Sequence, residues 1–210
     1  MRIAYDLHGS SPAVGARLSS ATLHIHRAEC PERAAVEHFI ASGFERHFGA
    51  RVGQFTPVLA SLRCGERILA AAGYRLAVDT LFLESYLPQP IDACLAAGQG
   101  RPVARDSIAE VGQLATRAPR HLHTLMKLLA EHLALAGVDW VAITATATLR
   151  QMFARFGLQW QEIAPADPIR AGISLNDWGR YYEHDPRVIA GRLSRNLGPL
   201  VAATTIQVAR

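Results

Sequence analysis

The stretch SIAEVGQLATRAPRHLHTLMKLLAEHL, residues 107–133, changes period halfway along, and that change decides the fold. Its first part, within RDSIAEVGQLAT, is an apolar strand carrying one carboxylate, Glu110. From Pro119 onward Leu122, Leu125, Met126, Leu129 and Leu133 recur at i, i+3/4, i+7 spacing, the stripe of an amphipathic helix that stops at Gly137. Along an extended strand Glu110, Gly112 and Leu114 share one face, and Val111 and Gln113 the other. The carboxylate therefore has a glycine beside it, where a ligand backbone has room.

Working outward, ATLHIHRA alternates Leu23 and Ile25 with His24 and His26, the period of a half-buried strand. PERAAVEHFIASGFERHFG predicts a helix opening at Pro31, with Ala35, Phe39 and Phe44 along one side, a bend at Gly43 and an end at Gly49. TPVLASLRCGERILAAAGYRLAV predicts an antiparallel hairpin turning at Gly65. DTLFLESYLPQPIDACLAAGQG, split by Pro88 and Pro90, is a helical insertion before the central strand. VDWVAITAT is a buried strand, ATLRQMFARFGL a short helix closed by Gly157, and LQWQEIA a further strand. The tail resists assignment apart from a terminal strand at AATTIQVA. The order β, α, β, β, insertion, β, α, β, α, β predicts an α/β fold: a mixed sheet flanked by helices and not a chain of simple βαβ crossovers.

With 210 residues and 50% hydrophobic content, one core spanning 21–210 is expected, preceded by a flexible arm over 1–20. The net charge of +4 comes from 22 basic and 18 acidic residues without long runs, which gives no nucleic-acid signature but suits weak attraction to an acidic carrier or anionic cofactor. Cys30, Cys64 and Cys94 are odd in number and form no CxxC pair, so a reducing cytoplasm is expected. Neither an apolar signal region nor a membrane-spanning stretch is legible. P-loop and Gly-x-Ser-x-Gly patterns are absent. His24 and His26 share a strand face but bring no third ligand in sequence, so no metal is expected.

Two chemistries fit the opening stretch. Glu110 can act as a general base toward an amine, with partial burial raising its pKa, or it can be a structural carboxylate paired with Arg105 or Arg117. The turn TRAPRH leads into a helix N-terminus, where Arg117, Arg120 and His121 can meet phosphate or can form a solvated basic corner.

The order of elements resembles the GNAT acyltransferase fold. Two features depart from it: the Gln/Arg-x-x-Gly-x-Gly/Ala turn is missing, and Phe153 stands where a tyrosine often protonates the leaving thiolate. The phrases AAGYRLA, LFLESYLPQPID, EVGQLA, VDWVAITATATLRQMFARFGL and DWGRYYEHDPRVIAG look like the thermostable hemolysin family over about residues 20–192, a family related to GNAT enzymes and acyl-homoserine lactone synthases. EVGQLA differs from the family's Glu-Ile-Gly-Asn-Leu-Ala only at Val111 and Gln113.

The resemblance implies a cytoplasmic N-acyltransferase. It would move a long fatty acyl chain from acyl carrier protein or acyl-coenzyme A to an amine such as an amino acid, the amphiphilic product being the lytic agent. No cofactor would be permanently bound, and the acyl-phosphopantetheine donor would come and go. Glu110 is then the catalytic base. Gln113, Leu114 and Ala115 offer backbone N–H groups to the pantetheine and the thioester carbonyl, and Arg117, Arg120 and His121 meet phosphate. Glu84 and Trp178 belong by family position to the acceptor pocket. The alternative is a membrane-active haemolytic protein that lyses cells directly through an amphipathic helix, for which residues 119–136 are the best candidate.

Overall fold

The computed structural model describes residues 21–200; the arm expected over 1–20 and the terminal strand expected at 202–209 lie outside it. Seven strands form one sheet in the order β1-β2-β3-β4-β5-β7-β6. They are β1 (Thr22–His26), β2 (Val58–Cys64), β3 (Arg67–Leu76), β4 (Ile108–Thr116), β5 (Trp140–Ala145), β6 (Gln161–Pro165) and β7 (Arg187–Arg192). The helices are α1 (Arg33–Phe48), α2 (Ile91–Gln99), α3 (Pro119–Leu135), α4 (Ala147–Arg155), α5 (Leu175–Trp178) and α6 (Leu193–Leu200). All strand pairs are antiparallel except β4 with β5.

The apolar stripe of α3 packs as expected: Leu122, Leu125, Met126, Leu129 and Leu133 are all buried, against Ala70, Ala72 and Val111 of the sheet. Each fully buried leucine contributes about 1.5–3 kcal/mol of transfer free energy. On the other face α1 covers Leu59, Ala71 and Ala115, while Leu83, Tyr86, Ile91 and Leu95 of the insertion cover Ile108, Trp140 and Val188. The alanine run of β3 lets helices approach from both sides. The hairpin turns at Gly65, whose φ of 55° needs no accommodation of a side chain.

Four expectations are corrected. The buried face of α1 is Val36, Ile40, Phe44 and Phe48, so Phe44 was rightly placed, whereas Ala35 is exposed and Phe39 only half-buried. The helix is unbroken through Gly43, where a Cβ would lie 3.1 Å from that of Ala115; the glycine serves close packing on β4. In β1 it is His26 that is buried, its Nε2 lying 2.9 Å from Ser61 Oγ, while Ile25 is partly exposed. The tail contains β7, which inserts between β5 and β6 and pairs with both.

Candidate active site

The parallel pair sets the geometry. β4 and β5 are in register only from Ile108 with Trp140 to Val111 with Ile143; beyond that point Thr144 and Ala145 follow β7, pairing with Val188 and Arg187. Past Val111 the edge of β4 facing β5 has no strand partner, and a wedge opens between the two. Gly112, Gln113, Leu114 and Thr116 line one side, Thr144, Thr146 and Leu149 the other, with Leu122 from α3 at its end. The helix N-terminus there has no side-chain cap, so its positive dipole end is available. Thr144 Oγ1 is buried without a hydrogen-bond partner.

The wedge shares Gly112, Gln113, Thr144 and Tyr181 with a cavity of about 710 Å³, which also includes Glu110, Arg75, Phe82, Tyr86 and Trp178. Its aromatic wall is mutually supporting: Trp178 stacks on Phe82 with centroids 6.1 Å apart and lies 5.1 Å from Tyr181, and the hydroxyls of Tyr86 and Tyr182 are 2.7 Å apart. Across the sheet Val111 also borders a smaller apolar cavity of about 60 Å³ with Met126, Phe153, Trp160 and Ile189.

Glu110 is 6% exposed. Its Oε2 accepts the Phe82 N–H at 2.8 Å, its Oε1 accepts the Leu83 N–H at 3.0 Å, and Arg75 Nε stands 3.5 Å from Oε2. Burial pushes the carboxyl above the usual carboxylate range, and the Phe82 N–H, the Arg75 charge and the Leu83 N–H pull it partly back. Each carboxylate oxygen keeps a second lone pair, so the two backbone donors do not exhaust its capacity to take a proton. The structural pairing considered for it with Arg105 or Arg117 is replaced by Arg75.

Gln113 departs from the simple strand alternation. Its φ of 52° marks a local distortion of β4, and its side chain clasps the segment before β2: Nε2 donates to the Gln54 carbonyl at 2.7 Å, and Oε1 accepts the Thr56 N–H at 3.1 Å. Leu114 lines the wedge, while Ala115 is packed beneath α1. Arg117 belongs to a neighbouring hollow of about 400 Å³ shared with Arg46, Arg67 and His38; its Nε donates to the Ile68 carbonyl and its guanidinium lies over the Phe39 ring at 5.4 Å. Arg120 is exposed. His121 is buried with Nδ1 unpartnered, its pKa lowered first by burial and then by Arg120, Arg67 and Arg117.

Trp178 lies in the cavity wall, but Glu84 is not among the lining residues. Its carboxylate accepts the N–H groups of Leu81 and Ile91 and pairs with Arg105 at 2.7 Å, which also pairs with Asp92 at 2.6 Å. Burial would raise the Glu84 carboxyl, yet these donors outweigh it and hold the pKa low. This network fixes the 3₁₀ turn Phe82–Tyr86, and hence the two N–H groups on Glu110. Sequence reasoning missed Arg75, Thr144 and Tyr86. Arg75 lay within the quoted AAGYRLA, but nothing in its spacing points to Glu110; the others meet only in three dimensions.

A sheet whose central parallel pair splays, with a helix N-terminus leading away from the split, defines a GNAT-like α/β fold. The family profile of thermostable hemolysin matches residues 26–197, and the chain belongs to that family. The acyl-homoserine lactone synthase LasI aligns with a TM-score of 0.62 at 13% identity, covering 91% of this chain and 100% of its own. FeeM, an N-acyl amino acid synthase from uncultured soil microbes, gives 0.58 at 14% identity over 86% and 94%. BjaI, a coenzyme A-dependent acyl-homoserine lactone synthase solved with S-adenosylmethionine and isopentyl-coenzyme A, gives 0.60 at 16% identity over 90% and 95%. No curated protein matches by sequence. Among the described residues no helix is long and apolar enough to cross a membrane.

Proposed function

We propose that this protein is an N-acyltransferase that moves a long-chain fatty acyl group from a phosphopantetheine thioester, carried by acyl carrier protein or coenzyme A, to a small amine such as an amino acid. The observation that carries the reading is a buried carboxylate, Glu110, in a large cavity joined to the β4–β5 wedge. The solved relatives named for acyl-homoserine lactone and N-acyl amino acid synthesis support acyl transfer to an amine, and BjaI, named as coenzyme A-dependent, supports a phosphopantetheine donor. Three cysteines far apart in sequence and without a CxxC pair suit the reducing cytoplasm where carrier and coenzyme A are found.

In this reading the pantetheine lies along the unpaired edge of β4, using main-chain groups from Gln113 to Ala115, and its thioester carbonyl is polarised by an N–H there or by the Thr144 hydroxyl. Glu110 takes the proton from the ammonium, directly or through a water. The neutral nitrogen attacks the carbonyl carbon, the C–N bond forms, the C–S bond breaks with the sulfur leaving as thiolate, and the second proton of the attacking nitrogen passes to that thiolate or to solvent. With a thiol pKa of about 8.5, no acid is required, which suits the absence of a hydroxyl at the buried Phe153. Arg117 and Arg120 attract the phosphate of the donor, with Arg67 beside them. Trp178 and the tyrosines hold the acceptor, and Glu84 acts as a positioning residue behind the Phe82–Leu83 N–H pair. Direct membrane lysis would require α3, nine of whose residues are buried, to leave the core.

Mass spectrometry of reactions with long-chain acyl carrier protein and acyl-coenzyme A donors and a mixture of amines tests the reading. An N-acyl product that depends on Glu110 identifies both substrates. Lysis of red cells by pure protein without donor, together with no consumption of either thioester, would overturn it.

A further inference from the structure

The turn from β1 into α1 gathers three ligand-bearing side chains away from the acyl-transfer cavity. His26 Nδ1 is 3.4 Å from Cys30 Sγ, and Cys30 Sγ is 2.9 Å from Glu32 Oε2. The three ligand atoms all lie within 4.8 Å of one another. In a tetrahedral zinc site, with Zn–S of about 2.3 Å and Zn–N and Zn–O of about 2.0–2.2 Å, ligand atoms stand roughly 3.3–3.6 Å apart. The observed separations bracket that spacing, so a small rotation of the exposed Glu32 side chain suffices. We propose that His26, Cys30 and Glu32 bind a divalent transition metal of the zinc class, with water at the fourth vertex, as a clasp on the β1–α1 turn.

Three observations support it. The donor set is mixed N, S and O, which suits zinc and its neighbours and not calcium or magnesium. His26 has the outer contact of a metal-bound imidazole: with Nδ1 toward the metal, its Nε2–H donates to Ser61 Oγ at 2.9 Å, and Ser61 is itself fixed by Arg63 Nε at 3.2 Å. The turn is also already tied to the cavity rim. Arg33 donates to the carbonyls of His26, Thr56 and Pro57, and the Thr56 N–H is held by Gln113.

Without metal, the Cys30 thiol donates to Glu32, a bond that raises the thiol's pKa and lowers the carboxyl's. A metal replaces that proton, which leaves to solvent, and the thiolate and carboxylate together neutralise the dication. Arg63 and Arg33 oppose a cation there and set a limit on affinity. His24 is not a ligand; its Nε2 is 2.8 Å from Thr22 Oγ1. The pair sought on one strand face is replaced by a His-x-x-x-Cys-x-Glu set that crosses the turn.

The reduced, metal-stripped full chain is titrated with Co²⁺ under anaerobic conditions. One equivalent should give thiolate-to-cobalt charge transfer and tetrahedral visible bands, displaced by Zn²⁺. Cys30→Ser should abolish the charge transfer, whereas Cys64→Ser and Cys94→Ser should keep it. Ser61→Ala should weaken binding by about 10–100-fold, and Glu32→Gln, at an exposed position that leaves folding intact, by at least about tenfold. The proposal is overturned if no charge-transfer band appears, if the band survives Cys30→Ser, or if Glu32→Gln binds cobalt as the wild type does. Circular dichroism of each variant separates lost ligation from lost folding.

Discussion

Glutamine at position 110 separates the two roles of Glu110, as a capping acceptor and as a base. The wild-type carboxylate accepts one N–H on each oxygen, from Phe82 and Leu83. Glutamine offers one oxygen and turns an NH₂ toward the other donor, so one charge-assisted bond worth about 1.5–3 kcal/mol is lost. Removing a buried charge returns part of that, because burial disfavours the ionised form. The net cost is about 1–2 kcal/mol, or roughly 2–4 °C of melting temperature per kcal/mol for a domain of this size. Loss of a general base costs about 10²–10⁴-fold in turnover. Glu110→Gln should therefore melt a few degrees early yet remain folded at 25 °C, with acyl transfer down by at least about two decades. Thermal melting and product formation by mass spectrometry, on the same preparation, check both. A folded variant that retains a tenth or more of wild-type turnover would refute the base assignment and leave Glu110 a structural cap.

The acid limb of the pH–rate profile should lie above the ordinary carboxylate value of 4.5, since the base must be ionised and burial raises it. Arg75→Gln removes a cation that favours ionisation, so the limb should move to higher pH; a limb that stays put or falls contradicts the pairing. Arg120→Gln should raise KM for either donor several-fold with little change in kcat, and the effect should shrink as salt screens it, as initial rates at two ionic strengths would show. Glu84→Ala removes one of the two carboxylates paired with Arg105 and the acceptor of the Leu81 and Ile91 N–H groups, and should lower stability by about 2 kcal/mol, read from the denaturant midpoint at unchanged slope. Gly73→Ala places a Cβ against the Thr56 side chain and 2.9 Å from Gln113 Oε1; an overpacking cost of about 1–3 kcal/mol should appear as a lowered melting temperature.

The long helix and its core residues were legible because five apolar residues at helical spacing leave one way to bury them. The hairpin was legible from Gly65, and the splayed strand from its family phrases. β7 was not, since RVIAGR is short and joins the sheet between β5 and a strand that precedes it in sequence, an insertion no local pattern encodes. Glu110 was found as the lone carboxylate of an apolar strand. Its partners were not, because two are main-chain N–H groups, which carry no residue signature, and the third is an arginine from an adjacent strand. The face predicted for Gln113 failed because a positive φ interrupts the alternation on which the prediction rested. Glu84 was singled out by family position, and its carboxylate is taken up by Arg105 and the N–H groups of Leu81 and Ile91, outside the cavity lining.

The unpaired edge of β4 has an evolutionary corollary. In the proposed reading this edge is a docking rail, and peptide groups present the same donors and acceptors whatever side chains they carry, so selection can hold the curve of the backbone while letting residues drift. Chains that share 13–16% identity with this one still superpose over most of their length. Substitutions at Leu114 that preserve the strand path should therefore be tolerated more readily than a proline there, which would remove a rung from the rail.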